Sequence, residues 1–392
     1  MSLATAARTG WFTPAEDDLR ARLTAHLAEA VAPRVDDWEQ HGAVPLREVL
    51  RGLAGHGFLG MRFPAAVGGG GGTAWDHVVL AECLGALPSD SVGMSVTVHN
   101  DMVAPMIAEA GSPEAVDRFL RPALAGECLL GHAVSEPGAG SDVAAVATTA
   151  RPVPGGYRVS GVKRWVVAGL YADAFAVLAR LPDARAPFGH VLLMVPAEAD
   201  GLAVTPGGPT LGLRAAGVAG EVLLDDVFVP AGHRLGGHGL GLVTQMRQFE
   251  PERIVSACRA LAVADTLLLR TAERLRDRVT FGAPVATRPD VAGRLAALRA
   301  EVEAVRQLAY TGIDRWVTGG DHRALSAAVK LRSSRLVRTV ARTCLHLHGA
   351  HGQLVDAPVN RAFRDTRLFS ISTGSDEMML TTLARLQGWP GA

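Results

Sequence analysis

Residues 133–142, AVSEPGAGSD, end a short apolar run and turn at once into a loop. The loop offers Ser135, then glycine and alanine at 138–140, then Ser141 and Asp142. Small residues in that order expose backbone N–H groups and let a flat or anionic ligand approach closely. Alone, the segment is a loop with capping residues. Its position says more, because the hydrophobic period changes on either side of it.

Upstream, residues 14 to about 130 carry a helical period. In DDLRARLTAHLAEAVAPRV, Leu19, Leu23, Leu27 and Val31 recur every fourth residue on one face. DHVVLAECLGAL and SPEAVDRFLRPALAGE repeat the pattern, and Ser112-Pro113 supplies an N-cap and a first helical residue. From about 131 to 235 the chain turns to short β-rich runs, GYRVSGVKRWVV, DAFAVLARL, HVLLMVPA and GEVLLDDVFVP. Gly, Pro and Asp punctuate them, as in a small barrel or sandwich. Beyond about 240 the helical period returns in two long stretches, ERIVSACRALAVADTLLLRTAERL and DVAGRLAALRAEVEAVRQLAYTGIDRWV. Their broad apolar stripes predict a bundle. The expected organisation is a helical domain at 1–130, a central β domain at 131–235 and a helical bundle at 236–392.

Composition narrows the function. The 392 residues are enough for two or three cores. A formal net charge of zero argues against a general nucleic-acid binder, which needs a basic excess. No apolar run reaches the length of a membrane span. The start, MSLATAARTGWFTPAEDD, has no apolar core behind a basic segment, so a secretory signal is not expected. Cys83, Cys128, Cys258 and Cys344 form no C-x-x-C pair and read as reduced structural thiols in a cytoplasm.

Two motifs invite sharper readings and fail to support them. Five consecutive glycines, Gly68 to Gly72, lack the Gly-Lys-Ser/Thr and the strand-to-helix setting of a phosphate loop, so they read as a flexible surface turn. His346, His348 and His351 lie close together but lack the i, i+4 pairing of a helical zinc site, so no metal is expected. A glycine-rich helix end close to a ligand fits them better.

Taken in order, VSEPGAGSD, GVKRWVVAG, LGLRAAGVAGEVLLDDVFVP, RVTFG and RAFRDTRLFSISTGSDEM resemble the acyl-CoA dehydrogenase family of flavoproteins. HGFLGMRFPAAVGGGGG and FLRPALAGECLLGHAVSEP extend the resemblance over essentially the whole chain. It implies an N-terminal helical domain, a central β domain and a C-terminal four-helix bundle, assembled as a homotetramer with FAD between the β domain and the bundle. Matched by position, Val134 and Ser135 would touch the flavin ring, with Trp165, Val166 and Val167 beside it. Arg278 and Phe281 would reach the FAD of a neighbouring subunit. His346, Gly349 and Ala350 would line the adenosine side, and Ser375 and Glu377 would complete the dinucleotide site. Ser141, Phe249, Glu250, Arg253 and Thr373 would face the thioester substrate.

Three positions depart from the family pattern. Its Trp-Ile-Thr is Trp165-Val166-Val167 here, which removes a hydroxyl next to flavin N5. The glutamine that follows Phe-Gly falls at Pro289, and Gln-x-x-Gly-Gly reads His346-Leu347-His348-Gly349-Ala350.

The expected reaction removes an α-proton and a β-hydride from an acyl thioester, and it needs a desolvated carboxylate base. In many members the base directly precedes the C-terminal Gly-Thr/Ser; that slot is Thr373 here. Isovaleryl- and long-chain-type members place it before an arginine near the first bundle helix. QFEPERIVSA has Glu252 before Arg253, 29 residues ahead of Phe281, which matches the second arrangement. Pro251 reads as a first helical residue, with Ile254, Cys258 and Leu261 opening an apolar stripe. A helix start there would favour a charged Glu252. The expected activity is FAD-dependent acyl-CoA dehydrogenation, with electron-transfer flavoprotein or oxygen as acceptor. The same resemblance admits a carrier-protein-bound thioester in natural-product biosynthesis, a flavin monooxygenase, or a non-catalytic assembly partner.

Overall fold

The computed structural model describes residues 8, 10–185 and 187–389. The chain divides into two compact units. One takes the described residues of Met1–Asp36, Ala74–Gly93 and Arg253–Ala392, and the other takes Asp37–Thr73 and Met94–Glu252.

The second unit is built on an eight-stranded sheet. Its strands are β1 (Leu130–Ala133), β2 (Thr149–Val153), β3 (Gly156–Val166), β4 (Ala174–Arg185), β5 (Phe188–Pro196), β6 (Leu202–Pro206), β7 (Ala219–Pro230) and β8 (Arg234–Leu235). They are ordered β6-β7-β3-β2-β4-β5-β8, with β1 added parallel to β4. β3 and β7 pair antiparallel over most of their length, with an irregularity between Val159 and Gly161. β7 alternates buried and exposed residues, so one face is covered. Val191 to Val195 in β5 are all buried, which explains why HVLLMVPA reads as an unbroken apolar run.

The five glycines of this unit form an ordered turn, which corrects the expectation of flexibility. The amides of Gly70, Gly71 and Gly72 donate to the carbonyls of Gly60, Phe63 and Met61 at 3.2, 2.8 and 2.8 Å. A Cβ on Gly69 would lie 2.2 Å from the Phe63 carbonyl oxygen, so the close backbone approach requires glycine.

The first unit is helical. α1 (Pro14–His26) begins with a capping box: Thr13 N–H donates to Glu16 at 2.7 Å, and Glu16 N–H donates to the Thr13 hydroxyl at 3.4 Å. Leu19, Leu23, Leu27 and Val31 are all buried. A step of four residues drifts about 40° around an α-helix. The chain offsets the drift by widening into a π-helical turn at Leu27–Val31. α2 (Ala74–Gly85) packs with α3 (Gly241–Asp277), α4 (Pro289–Val317) and α5 (Arg323–Leu347) around one apolar core. Ile254, Cys258 and Leu261 of α3, Ala309 and Ile313 of α4, and Val337 and Cys344 of α5 lie in it. α6 (Pro358–Asp365) and α7 (Asp376–Leu386) follow. Buried Arg306 of α4 joins Glu82 of α2 at 2.9 Å, Glu303 at 3.1 Å and Asp265 of α3. Among the described residues, no helix is long and apolar enough to cross a membrane.

Candidate active site

Within the sheet unit, the segment after β1 is held rigidly from behind. Lys163, on the inward face of β3 and 0 % exposed, donates to the Val134 carbonyl at 3.1 Å and to Glu136 at 2.7 Å. Glu136 also accepts the backbone N–H groups of Ala147 and Thr148, at 2.5 and 3.0 Å. Arg164 N–H donates to the Ser135 carbonyl at 2.8 Å. The Val134–Ser135 backbone is thereby fixed on two consecutive residues. Burial pulls the Lys163 ammonium down to about 8, with Glu136 acting against that fall. Burial pushes the Glu136 carboxyl up, and Lys163 with the amide donors brings it below its ordinary value.

Two residues beyond Lys163, Trp165 sits at φ +61°, 58 % exposed, with the Arg164 guanidinium 5.0 Å from its ring centre. Val166 is buried and Val167 half-buried at the end of β3, while Ser141 is exposed in its loop.

The N-terminal part of α3, up to Glu252, belongs to the same unit. Gln245, Gln248 and Glu252 face inward and are buried, and Phe249 and Glu250 are half-buried. Gln245 meets His132 of β1 at 2.8 Å, and Gln248 Nε2 donates to the Asp101 carbonyl at 2.7 Å. Sequence reasoning misplaced the start of this helix. It begins at Gly241, and Pro251 lies inside it. Glu252 is therefore an interior residue, 2 % exposed, and no helix terminus acts on its charge.

In the helical unit, Arg253 is buried, and its Nε donates to the Thr373 carbonyl at 2.9 Å. Lys330 donates to the next carbonyl, that of Gly374. Thr373 is held at φ +54°, an uncommon place for a β-branched residue, and Gly374 at +101°. Ser375 then caps α7 by accepting the Met378 N–H. Asp376 is buried, accepts the Ser334 hydroxyl at 2.6 Å and pairs with Arg335 and Arg338 at 3.5 and 3.7 Å. Glu377 is exposed in the first turn of α7, where its backbone hydrogen bond and the Ser375 hydroxyl hold its carboxyl below the ordinary value.

The same unit brings together residues far apart in sequence. β9 (Val279–Thr280) and β10 (Ala283–Pro284) make a tight hairpin. Its tip residues, Phe281 and Gly282, both have positive φ, and Phe281 is 97 % exposed. Arg278 at its base lies against Gly349, where a Cβ would stand 3.2 Å from Nη1. His346 and Ala350 are exposed nearby in sequence. His348 is buried and meets the Thr271 hydroxyl at 3.2 Å, with burial bringing its pKa down to about 4.

Among the described residues, six non-glycine residues have positive φ, and Trp165, Phe281 and Thr373 are three of them. Strained backbone of this kind concentrates at functional sites. Residues that sequence reasoning missed are Lys163, Glu136, His132, Gln245 and Gln248. Lys163 was detectable, because an inward strand position holding a lysine requires a buried partner.

Comparison with known proteins agrees along the chain. Family models of the N-terminal, middle and C-terminal domains of acyl-CoA dehydrogenases match residues 13–127, 131–227 and 239–387. The long-chain specific acyl-CoA dehydrogenase of Rattus norvegicus mitochondria is 28% identical over 95% of this chain and 86% of its own length. A solved structure from Mycobacterium abscessus, titled a probable acyl CoA dehydrogenase, is 30% identical with a TM-score of 0.92. That match covers 97% of this chain and 100% of the other. A glutaryl-CoA dehydrogenase from Mycobacterium smegmatis, solved in complex with FADH2, shares the fold at a TM-score of 0.90, 24% identity and 96% coverage of both chains. The chain belongs to the acyl-CoA dehydrogenase family.

Proposed function

We propose that this protein oxidises an acyl-CoA thioester to its α,β-unsaturated product, with Glu252 as the base that removes the α-proton. One observation carries the assignment. Glu252 is a carboxyl group 2 % exposed in a helix interior, while the other family slot holds Thr373. Asp376 is engaged by Ser334, and Glu377 faces solvent. A desolvated carboxylate is the kind of base a weak carbon acid needs.

The cofactor is FAD, which supplies the N5 acceptor for the hydride leaving the β-carbon. The residues present fit a dinucleotide. Trp165 and Phe281 are exposed aromatic side chains, each with an arginine against its ring, and Arg278 offers a guanidinium beside the small Gly349. Val134, Ser135, Val166 and Val167 would lie along the ring, and His346, Ala350, Ser375 and Glu377 would meet the remainder. With no hydroxyl at Val167, polar contact to that edge of the ring falls to backbone groups. Arg253 holds the Thr373 carbonyl and so steadies the 373–374 turn, and the Thr373 N–H is assigned to the thioester oxygen. Ser141, Phe249 and Glu250 are assigned to the CoA arm. Electrons pass to an electron-transfer flavoprotein, and the chain works as a cytoplasmic homotetramer. Its four cysteines are all free, which suits a reducing compartment.

The test is direct. Purified protein should be yellow with bound FAD and bleach when mixed anaerobically with CoA thioesters of graded length and branching. Colourless protein that takes up no added FAD would contradict the reading.

A further inference from the structure

We infer that His132 and Gln245 form a positioning pair that holds the helix carrying Glu252 against the strand leading to Val134 and Ser135. The inference rests on Glu252 as the base. His132 Nε2 and the Gln245 side-chain oxygen are 2.8 Å apart, and the His132 ring meets Phe249 edge-on at 6.2 Å. His132 precedes Val134 by two residues, and Gln245 precedes Glu252 by seven. Seven residues are about two helical turns, so Gln245 and Glu252 share a face of α3. All of these residues lie in one compact unit.

The helix needs such an anchor here. Pro251, next to Glu252, has no N–H to give the Arg247 carbonyl, and its ring crowds that carbonyl. The backbone ladder is weakest one residue from the base. Gln245 and Gln248 supply side-chain anchors just upstream, one to His132 and one to the Asp101 carbonyl. Gln245 is 0 % exposed, and among the described residues its Nε2 has no hydrogen-bond partner. A buried amide with an unmet donor costs folding free energy that an apolar side chain would avoid. A simple packing role does not account for the glutamine; holding His132 does. Burial also keeps His132 below its ordinary pKa, so the ring remains a neutral hydrogen-bond partner at working pH.

The experiment uses FAD-loaded protein carrying His132→Ala, Gln245→Ala, both together, or His132→Gln, with Glu252→Gln alongside. A misplacement near 1 Å can cost about a hundredfold in rate. Each single alanine variant should slow flavin bleaching by saturating acyl-CoA by about tenfold or more. The double variant should be no slower than the slower single, since both remove one contact. His132→Gln, which keeps a nitrogen near the Nε2 position, should recover most of the rate. FAD affinity and melting temperature should move little, while hydrogen exchange across residues 246–256 should quicken. An unchanged bleaching rate in His132→Ala, with Glu252→Gln inactive, overturns the pair alone. Rate loss that only tracks lost FAD or lowered melting temperature also overturns it. Parental bleaching in Glu252→Gln overturns the base assignment, and the pair's role falls with it.

Discussion

Replacing Lys163 with methionine should damage the fold and the FAD site together. The substitution keeps an unbranched side chain but removes an ammonium that holds the Val134 carbonyl at 3.1 Å and Glu136 at 2.7 Å. Breaking one partner of a buried ion pair costs about 3–5 kcal/mol, because a buried charge loses its compensation. Glu136 would keep its bonds from Ala147 and Thr148, which places the loss near the lower end, about 3 kcal/mol. The Val134 carbonyl also loses a donor, for about 1 kcal/mol more. If the 134–136 segment takes up this combined cost of about 4 kcal/mol by loosening, FAD binding weakens by about 700-fold, at about 1.4 kcal/mol per factor of ten. Adding Glu136→Gln removes the stranded charge and should restore most of the stability. Denaturant unfolding of both variants, with FAD titration followed by flavin fluorescence, gives both numbers. If the single and double variants match the parent within about 0.5 kcal/mol, the buried pair is not what shapes this segment.

Other consequences can be read from the helical unit. Arg306→Met should destabilise by about 3–5 kcal/mol in equilibrium denaturation, since Glu82, Asp265 and Glu303 lose a shared partner; a loss below about 1 kcal/mol would count against the network. Burial pushes the Glu82 carboxyl up, but Arg306, Arg8 and Arg20 bring it below its ordinary value. As pH falls, the unfolded chain therefore takes up this proton first. The contribution is full above about pH 4.3 and fades below it, so equal denaturation midpoints at pH 6 and pH 3.5 would contradict the assignment. Phe281→Asp should weaken FAD retention and tetramer formation together in sedimentation, whereas a fully exposed phenylalanine of no consequence would leave both unchanged.

Much of this fold was legible in the sequence, for identifiable reasons. The apolar step at Leu19, Leu23, Leu27 and Val31 marked α1, and the β-rich run HVLLMVPA marked a strand, which the structure buries on both faces. The start of α3 was not legible. GLVTQMRQFEPE puts Gln245, Gln248 and Glu252 on the inward face, so the buried side of the helix is polar and breaks the hydrophobic period. Pro251 then looked like a first helical residue, although it lies inside the helix. The glycine run misled for a related reason: its order comes from backbone bonds to residues 60–63, which composition does not reveal. The pairing of Lys163 with Glu136 depends on a contact across 27 residues, and strand alternation alone names only the lysine.

The central claim is that the base is Glu252 and not a carboxylate of the C-terminal motif. Glu252→Gln keeps the size and hydrogen bonding of the side chain but removes the proton acceptor. Glu377→Gln serves as its counterpart, because Glu377 lies exposed at the start of α7. Rapid anaerobic mixing of each FAD-saturated variant with an acyl-CoA substrate measures flavin bleaching. The prediction is a fall of at least about a hundredfold for Glu252→Gln, the low end for a positioned general base, with substrate affinity little changed. Glu377→Gln should bleach near the parental rate once saturated with FAD. Parental bleaching in Glu252→Gln together with loss in Glu377→Gln would contradict the account.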